Sequence, residues 1–480
     1  MSQKSHKTQR PRWLPALAVL AAVGCIERTG PVLSDTLGLD PVQPLPSSDQ
    51  LTWQTQELSA FLHFGLNTFT DQEQGDGTVS PTLFNPGATL DASQWMTALK
   101  AAGFHQVMLT AKHHDGFCLW PSKCTSPPLT PYSVAASPWL GGNGDVVGQF
   151  VTAAHEANLR VGLALSPPDH HEKTYGTPAY QAFFECQVKE LLTYYGPLDE
   201  LWLWGSPPAT PPFDWTRVET LVHKLQPNVL LDEATRDATG ADLRSLGQAV
   251  LQPMAPTDEN SVQPAPAGPT KPPVWYPAES AFSIRPGWFW HAAEDTQLKT
   301  RSQLVDLYFD SVGRNSILLL GVPPNTQGLL ADPDVAALDQ FGAAIRSIYQ
   351  SNLAAARTAV ADSNFKNRPA PMAVDGKLDT FWAAGEGTTT ARLEVDLGGP
   401  VAFNLVSIQE PIALGERITE HRVDAKTNGV WTTIAMGTFV GERKLHRVGP
   451  VMATALALVI TKARGVPAVA ELGVYQSPFP

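Results

Sequence analysis

Polar side chains that could bind or act on a ligand are grouped in three short stretches of the sequence. Each stretch follows an apolar segment of strand length, in the order FLHFG, LTAKHHDG and LALSPPDHHE. In a barrel of parallel strands the carboxyl ends of the strands meet at one face, so these stretches are expected to surround one site. The residues concerned are His63, His113, His114, Asp115, Ser166, Asp169, His170 and His171.

A cluster of histidine and aspartate side chains could bind a metal ion or could supply hydrogen bonds to a polyhydroxylated ligand. Adjacent strand residues point to opposite faces, so His113 and His114 cannot both be metal ligands unless the strand bends. The sequence also has no HExxH or similarly spaced ligand pair. We therefore predict a pocket without a metal ion or another cofactor, in which polar groups are set among tryptophan rings, as in sugar-binding sites.

Alternating helical and strand patterns predict the fold that positions these stretches. The segment SQWMTALKAAGF has apolar residues at helical spacing and ends at Gly103, and a strand pattern, HQVMLTAK, follows it. The same order returns in VVGQFVTAAHEANL with RVGLALS, and in YQAFFECQVKELLTYYG with DELWLWG. Such units predict an α/β fold with parallel strands. Their number favours a (β/α)8-like TIM barrel, which would span residues 51–352, rather than a flat doubly wound sheet. No glycine-rich phosphate loop follows a strand, which argues against nucleotide binding.

Residues 353–480 have a different pattern, in which short strand-like segments alternate with turn residues. Segments such as ARLEVDLGG, FNLVSIQE and ALALVITKA predict an all-β sandwich domain. The formal net charge of the whole chain is −12, which argues against nucleic acids and anionic membrane surfaces as main partners. It is compatible with neutral sugars.

The N-terminal segment predicts export. Four basic residues precede a short apolar run, LPALAVLAAVG, which ends at Cys25. This order is typical of a secretory signal, and the run is too short for a comfortable membrane span. The ending AAVGC resembles a bacterial lipoprotein box, which implies a signal peptide over residues 1–25, lipidation of Cys25 and a tether over residues 26–50. The expected location is the cell envelope, in the periplasm or at the cell surface; a plain signal peptide or an uncleaved anchor is the alternative.

The other three cysteines are Cys118, Cys124 and Cys186, and they cannot all pair with one another. Cys118 and Cys124 are the only close pair. Their spacing predicts a local disulfide bridge in an oxidising compartment.

Six stretches resemble motifs of the glycoside hydrolase family 29 α-L-fucosidases, in the order HFG, KHHDGFCLWPS, LSPPDHHE, LTYYGPLDELWLWG, WYPAESAFSIRPGWFWH and SVGRNSILLLGVPPNTQG. The resemblance implies a (β/α) barrel that hydrolyses terminal α-L-fucose with retention, on a fucosylated glycan or a small fucoside. It implies that His63, His113 and His114 form hydrogen bonds to fucose hydroxyls and that Glu73 and Trp290 lie near the sugar. Strand geometry leaves open whether both adjacent histidines bind the ligand or one of them braces the loop.

The C-terminal segments AVDGKLDTFWAA and LEVDLGGPVAFNLVSIQE resemble the discoidin, or coagulation-factor type C, domain, a jelly-roll sandwich. Such domains often bind carbohydrate through loops at one end. A packing role without a ligand is the alternative, because a fold does not determine a function.

The residues expected to react differ from the family pattern. A retaining glycosidase needs two carboxyl groups about 5 Å apart, one as the nucleophile and one as acid and base. The family's nucleophile is the Asp of a stretch like E-x-W-x-D-G, and the matching stretch ELWLWG has Trp204 in that place. An indole N–H only donates hydrogen bonds, so it cannot form a glycosyl ester. Ala164 stands where a Tyr is usual, Gln74 where a Trp is common, and Ala249 where some members have an acid/base Glu.

Two hypotheses follow for the activity. The first is a fucose-binding pseudoenzyme of the α-L-fucosidase family, in which hydrolysis is impaired or lost. The second is an active fucosidase that uses Glu279 as the acid and water as the nucleophile, or that uses a relocated carboxylate. Glu279 has a structural alternative, which is to orient Arg285 or Trp275. The carboxylates nearest in sequence to predicted strand ends are Asp169, Glu200, Asp232 and Glu233.

Overall fold

The computed structural model describes residues 38–125, 132–205, 213–233, 242–245, 259–263 and 272–479. The predicted signal peptide, the lipidation site Cys25, the first part of the tether and the position of Ala249 lie outside these residues. No helix within the described ranges is long and apolar enough to cross a membrane.

A curled parallel sheet forms the first domain. In the described ranges its strands, with one short antiparallel pair, are β1 (Leu58–Leu62), β2 (Gln106–Lys112), β3 (Arg160–Leu165), β4 (Glu200–Leu203), β5 (Leu230–Glu233), β6 (Arg244–Ser245), β7 (Val262–Gln263), β8 (Val274–Trp275), β9 (Ala278–Ser283) and β10 (Ser316–Gly321). Eight of them are neighbours in the order β5-β4-β3-β2-β1-β10-β9-β6, and β7 pairs with β8. A parallel bridge between Asp232 and Leu243 joins the two ends of the sheet. The predicted parallel α/β barrel is confirmed.

The helices of this domain pack on the outside of the sheet or cover its ends. They are α1 (Ser48–Gln54), α2 (Leu66–Thr70), α3 (Ala92–Ala102), α4 (Val146–Glu156), α5 (Tyr180–Tyr194), α6 (Trp215–Leu225), α7 (Arg301–Ser311) and α8 (Asp332–Ile348). Asp91 and Asp145 determine where α3 and α4 begin, because each accepts hydrogen bonds from N–H groups of the first turn. Helix α3 ends at Gly103, whose φ of 97° suits glycine. Its buried Leu99 packs in one core with outward strand residues such as Leu109, and burying a side chain of this size contributes about 1.5–3 kcal/mol.

Helix α1 covers the amino-terminal end of the barrel. Gln50 Nε2 donates hydrogen bonds to the main-chain oxygens of Asp242 and Trp275, at 2.8 and 3.2 Å. Trp53 is fully buried, and its Nε1 donates to Glu200 Oε2 at 2.8 Å, at the start of β4. This end of the barrel is therefore sealed by packed side chains.

The second domain is an antiparallel sandwich. Its strands in the described ranges are β11 (Thr358–Ala361), β12 (Trp382–Ala383), β13 (Ala391–Gln409), β14 (Ile418–Thr427), β15 (Val430–Gly437), β16 (Lys444–Ala463), β17 (Ala468–Val469) and β18 (Glu471–Tyr475). The larger sheet has the order β11-β13-β16-β14-β15 with β18 beside β13, and β12 pairs with β17. The sheets enclose a separate apolar core around Trp382, Phe403 and Leu458. The predicted all-β sandwich is confirmed.

Main-chain hydrogen bonds hold the sandwich against the barrel. Leu445 N donates to Gly313 O at 2.9 Å, and Asn315 N donates to Arg443 O at 3.0 Å. The guanidinium of Arg443 also pairs with Glu57, which precedes β1. The contact therefore uses the turn between α7 and β10 and lies away from the carboxyl ends of the strands.

The predicted Cys118–Cys124 bridge is wrong. Cys124 is bonded to Cys186 on α5, with the two Cα atoms 5.9 Å apart. Cys118 is a free, buried thiol, and Gln187 Nε2 lies 3.4 Å from its sulfur. Sequence proximity failed as a guide because the loop after β2 crosses α5 and brings Cys124 over the helix.

Cys186→Ala is expected to lower the thermal midpoint clearly. The bridge joins residues 62 positions apart, and natural disulfides of this kind contribute about 2–4 kcal/mol. Cys118→Ala is the matched control, with a smaller expected effect because it removes only a buried thiol. Scanning calorimetry and peptide mapping without reduction check this, and a Cys118–Cys124 peptide would contradict the observed pairing.

Candidate functional site at the carboxyl ends of the barrel strands

The predicted site residues follow neighbouring barrel strands at their carboxyl ends. His63 follows β1, His113 and His114 follow β2, Ser166 follows β3 and Trp204 follows β4. These four strands are adjacent in the sheet, so the residues that follow them converge at one mouth of the barrel. The structure brings the three predicted histidines together there.

Trp204 lies among the three histidines. Its ring centroid is 4.5 Å from that of His114, 5.1 Å from that of His113 and 5.6 Å from that of His63. It is also 5.9 Å from the ring of Trp202, which precedes it on the strand by two residues. An indole therefore occupies the position that the motif resemblance assigns to the nucleophile.

Hydrogen bonds indicate opposite tautomers for the two adjacent histidines. Ser166 Oγ donates to the carbonyl of Pro168 at 2.8 Å, so it accepts from His114 Nδ1–H at 2.5 Å. The side-chain amide of Asn67 donates to His113 Nδ1 at 3.3 Å. In the neutral rings, Nε2 of His114 is therefore a hydrogen-bond acceptor and Nε2 of His113 is a donor.

All three histidines are uncharged near neutral pH. Burial lowers the pKa of His63 to about 3 and the pKa of His114 to about 4, and it lowers the pKa of His113 well below its ordinary value. Among the described residues neither ring nitrogen of His63 has a hydrogen-bond partner, although the side chain is buried. A buried polar group of this kind is expected where a ligand supplies the missing partner.

Glu73 and an aromatic segment complete the mouth. The Glu73 carboxylate accepts hydrogen bonds from the main-chain N–H of Trp288 at 2.9 Å and of Phe289 at 3.0 Å. The ring of Trp288 lies 5.1 Å from that of His63, and the ring of Phe289 lies 5.0 Å from that of His113. Glu73 is thus fixed beside the histidines by residues that contact both.

A second indole, that of Trp288, contacts His63, and the sequence did not single it out. Trp290, the predicted neighbour of the sugar, donates from Nε1 to Asp295 Oδ1 at 3.2 Å. Both lie in the same short motif, RPGWFWH, whose spacing does not reveal which ring turns towards β1. The proximity of Trp288 to His63 depends on the loop after β9.

Other polar residues of the three stretches brace the loops around the mouth. His170 and His171 use Nδ1 to bind main-chain carbonyls of the loop that carries Glu73, at 3.0 and 2.7 Å. Asp169 forms an ion pair with the buried Lys112 at 2.9 Å. These side chains set the shape of the site and are engaged within the protein.

A level of apolar side chains lies beneath the histidines inside the barrel. Side chains alternate along a strand, so Phe61 lies one level below His63 and Trp202 one level below Trp204. The partly buried rings of Trp204 and Trp288 pack on this level. Its members are Phe61, Met108, Ala164, Trp202, Ala281 and Leu319. Ala164 has only a methyl group here, which leaves space for the indoles.

Three buried carboxyl groups lie below that apolar level. One oxygen each of Glu200, Asp232 and Glu279 lies within 4.8 Å of the others, a spacing that could also hold a hard cation. Gln106 Nε2 donates to Glu200 Oε2 at 2.6 Å. Burial, with the charge of Asp232, raises the pKa of Glu200 to about 8. Burial, with the charges of the other two carboxyls, raises the pKa of Glu279 well above its ordinary value.

The depth of Glu279 does not suit the acid/base role considered for it from the sequence. Along β9 it is separated from Ser283, at the mouth, by the apolar level that contains Ala281. Its side chain is fully buried, and a general acid must come within hydrogen-bond reach of the leaving group. The contacts of Glu279 are those of a core residue.

Comparison with known proteins agrees with this arrangement. The profile of the family described as Alpha-L-fucosidase matches residues 47–347, and that of the F5/8 type C domain matches residues 355–472. The chain therefore belongs to the α-L-fucosidase family, glycoside hydrolase family 29, and carries a C-terminal discoidin-type domain. It is 40% identical to Alpha-L-fucosidase 1 of Arabidopsis thaliana over 92% of this chain and 89% of the plant protein.

Solved structures of bacterial fucosidases are similar over nearly the whole chain. A Ruminococcus gnavus GH29 fucosidase in complex with fucose is 29% identical, with a TM-score of 0.81 over 92% of this chain and 96% of that one. An Asp-to-Ala mutant of the same enzyme, also in complex with fucose, has a TM-score of 0.80 at 29% identity, over 94% of this chain and 98% of that one.

Glu279→Gln is expected to reduce the loss of stability that accompanies a rise in pH from about 4.5 to about 8. The raised pKa values mean that Glu200 and Glu279 are protonated when folded and release protons on unfolding, so the free energy of unfolding falls between about pH 4.5 and about pH 8. Each such group contributes about 1.4 kcal/mol per pH unit within its window. Urea unfolding at pH 5 and pH 8 measures the difference.

The exposed Glu386→Gln is the matched control for removal of one carboxyl group. It should leave the pH dependence of the wild type unchanged. A Glu279→Gln variant that loses stability as steeply as the wild type between the two pH values would contradict the buried, protonated state.

Proposed function

We propose that this protein binds terminal α-L-fucose at the mouth of the barrel and hydrolyses fucosides poorly or not at all. The observation that carries the proposal is the position of Trp204. Its indole lies at the end of β4 among the histidines, 4.5 Å from His114, where a retaining mechanism would need a carboxylate.

The mouth retains groups suited to a sugar. His113 offers an N–H donor, His114 offers a lone pair and Glu73 offers carboxylate oxygens. A sugar hydroxyl can therefore be bound either as a hydrogen-bond donor or as an acceptor. The half-exposed rings of Trp204 and Trp288 offer flat apolar surfaces for the sugar ring and its methyl group. The fucose complex of the Asp-to-Ala mutant of a relative supports the view that binding in this family tolerates loss of an aspartate side chain.

Hydrolysis is disfavoured because Glu73, Asp169, Glu200 and Glu279 are each engaged in other contacts or out of reach. The oxygens of Glu73 accept main-chain hydrogen bonds, which reduces their nucleophilicity, and Asp169 is paired with Lys112. Glu200 and Glu279 lie below the apolar level. Loss of a covalent nucleophile lowers the rate by a factor on the order of 10³ or more. A relocated carboxylate or a direct attack of water assisted by Glu279 therefore has little geometric support.

Wild-type protein is expected to bind α-L-fucose in calorimetry and to turn over 4-nitrophenyl α-L-fucoside at least roughly 10³-fold more slowly than an active family member assayed beside it. Trp204→Asp should raise the turnover because it returns a carboxylate to the end of β4. The nitrophenolate leaving group needs little acid assistance, so the assay reports the nucleophile.

Trp204→Asn is the matched control, because it opens the same space without a carboxylate. Equal turnover by the Asp and Asn variants would remove position 204 from the reaction. Wild-type turnover comparable to that of the active relative would overturn the proposal as a whole.

Attachment to a membrane through a lipid on Cys25 is part of the same proposal, and its support is the AAVGC stretch after a basic and apolar leader. In a bacterial host that processes lipoproteins, Cys25→Ala is expected to move the protein from the membrane fraction to the soluble fraction. Fractionation with immunoblotting measures this, and membrane retention of the variant would favour an uncleaved anchor.

A further inference from the structure

A hydrogen-bonded chain of three ionisable groups runs from solvent to the mouth of the barrel. His291 Nδ1 lies 2.6 Å from Asp71 Oδ1, and His291 Nε2 lies 2.8 Å from Glu73 Oε1. Asp71 is 76% exposed, whereas the His291 side chain is only 13% exposed. The outer end of the chain is therefore in water, and its inner end is the carboxylate beside the histidine cluster.

The backbone is shaped to bring these groups together. Asp71 ends helix α2 in a left-handed conformation, with φ of 57°, and so turns the chain towards Glu73. Gly287 is required opposite, because a Cβ atom there would lie 2.5 Å from Glu73 Oε1 and 3.0 Å from His291 Cδ2. The contact between the two loops thus depends on the absence of a side chain at position 287.

The hydrogen bonds between Asp71, His291 and Glu73 indicate that the imidazole of His291 is charged. Ionised carboxylates only accept hydrogen bonds, so both ring nitrogens of His291 must donate, and this requires the imidazolium form. Burial lowers the pKa of His291, but the hydrogen bonds to Glu73 and Asp71 outweigh it and the pKa is raised above its ordinary value. Charge-assisted hydrogen bonds of this kind are about twice as strong as neutral ones.

We infer that His291 is a positioning residue that holds Glu73 in the fucose site, and that the proton on His291 makes fucose affinity depend on pH. This inference rests on the proposed fucose binding. When the imidazole loses its proton, one nitrogen becomes a lone pair that faces a carboxylate oxygen, and one of the two contacts is lost. Glu73 then keeps its main-chain hydrogen bonds but loses the orienting cation.

Other charged groups near His291 come from the loop after β9. Glu294 accepts a hydrogen bond from Gly287 N at 3.2 Å and adds a negative charge that favours the imidazolium. Arg285 donates to the carbonyl of His291 at 3.3 Å, and its own charge is balanced by Asp334 and Asp295.

The three site histidines and Asp115 also carry ionisable groups near the sugar site, and their titration determines the pH range in which the effect of His291 on binding can be measured. The three site histidines stay neutral at neutral and alkaline pH, because burial depresses their pKa values. Asp115, which follows them, has its pKa raised by burial to about 7, so its own titration falls within the pH range of a binding experiment on His291. A variant that removes only the imidazole separates the two contributions.

The experiment is calorimetry of α-L-fucose binding to the full chain between pH 6 and pH 9. We expect the wild-type Kd to rise by roughly five- to tenfold across this range, as one charge-assisted hydrogen bond is lost. His291→Gln should bind more weakly at pH 6 and show a flatter profile. Asp71→Asn should keep the affinity at pH 6 but shift the midpoint to lower pH, because it removes a negative charge from an exposed position.

His155→Gln, on α4, is the matched control and should retain the wild-type profile. A His291→Gln variant with the wild-type profile, or an Asp71→Asn variant with an unchanged midpoint, would overturn the role of His291. Because His291→Gln could fail to fold, ¹⁵N-histidine NMR of the wild type provides a second measurement. If no histidine ring remains an imidazolium above pH 7, the inferred role of His291 is also overturned. Absence of fucose binding at every pH would instead remove the proposed function itself.

Discussion

Closure of the parallel sheet into a barrel is the constraint on which the rest of the molecule depends. Side chains alternate along each strand, so every inward position belongs to a level, and residues from different strands meet only within or next to their own level. The sequence ELWLWG places Glu200 among the three buried carboxyl groups, Trp202 in the apolar level above them and Trp204 at the mouth. One strand thus connects the sealed end of the barrel to the candidate site.

Two buried acids and the buried histidines inside the barrel are neutral, although the chain carries a formal charge of −12. The buried acids reach the neutral form because their pKa values rise, and the buried histidines reach it because their pKa values fall. Burial is the main cause in both cases, since it disfavours whichever form is charged. Charge is kept at the rim, where Glu73 and His291 are partly exposed and each has several hydrogen-bond partners.

The sequence predicted the barrel, the sandwich and the convergence of His63, His113 and His114, because strand order and the side-chain period of two are local properties. It did not predict the Cys124–Cys186 bridge, since the crossing of a loop over α5 depends on tertiary packing. The same limit applies to Trp288, which no spacing rule distinguishes from Trp290. The depth of Glu279 could have been read from the sequence, because its place near the start of β9 puts it two levels below the mouth.

An indole at the end of β4 also changes how the molecule can be observed. Trp204 and Trp288 are half-buried and both lie beside His63, with ring centroids 5.6 and 5.1 Å away. Indole emission depends on local water and on nearby imidazole groups, so a ligand that displaces solvent from this mouth alters the light that the two rings emit. The indole at position 204 therefore gives the barrel a built-in optical reporter of its own occupancy.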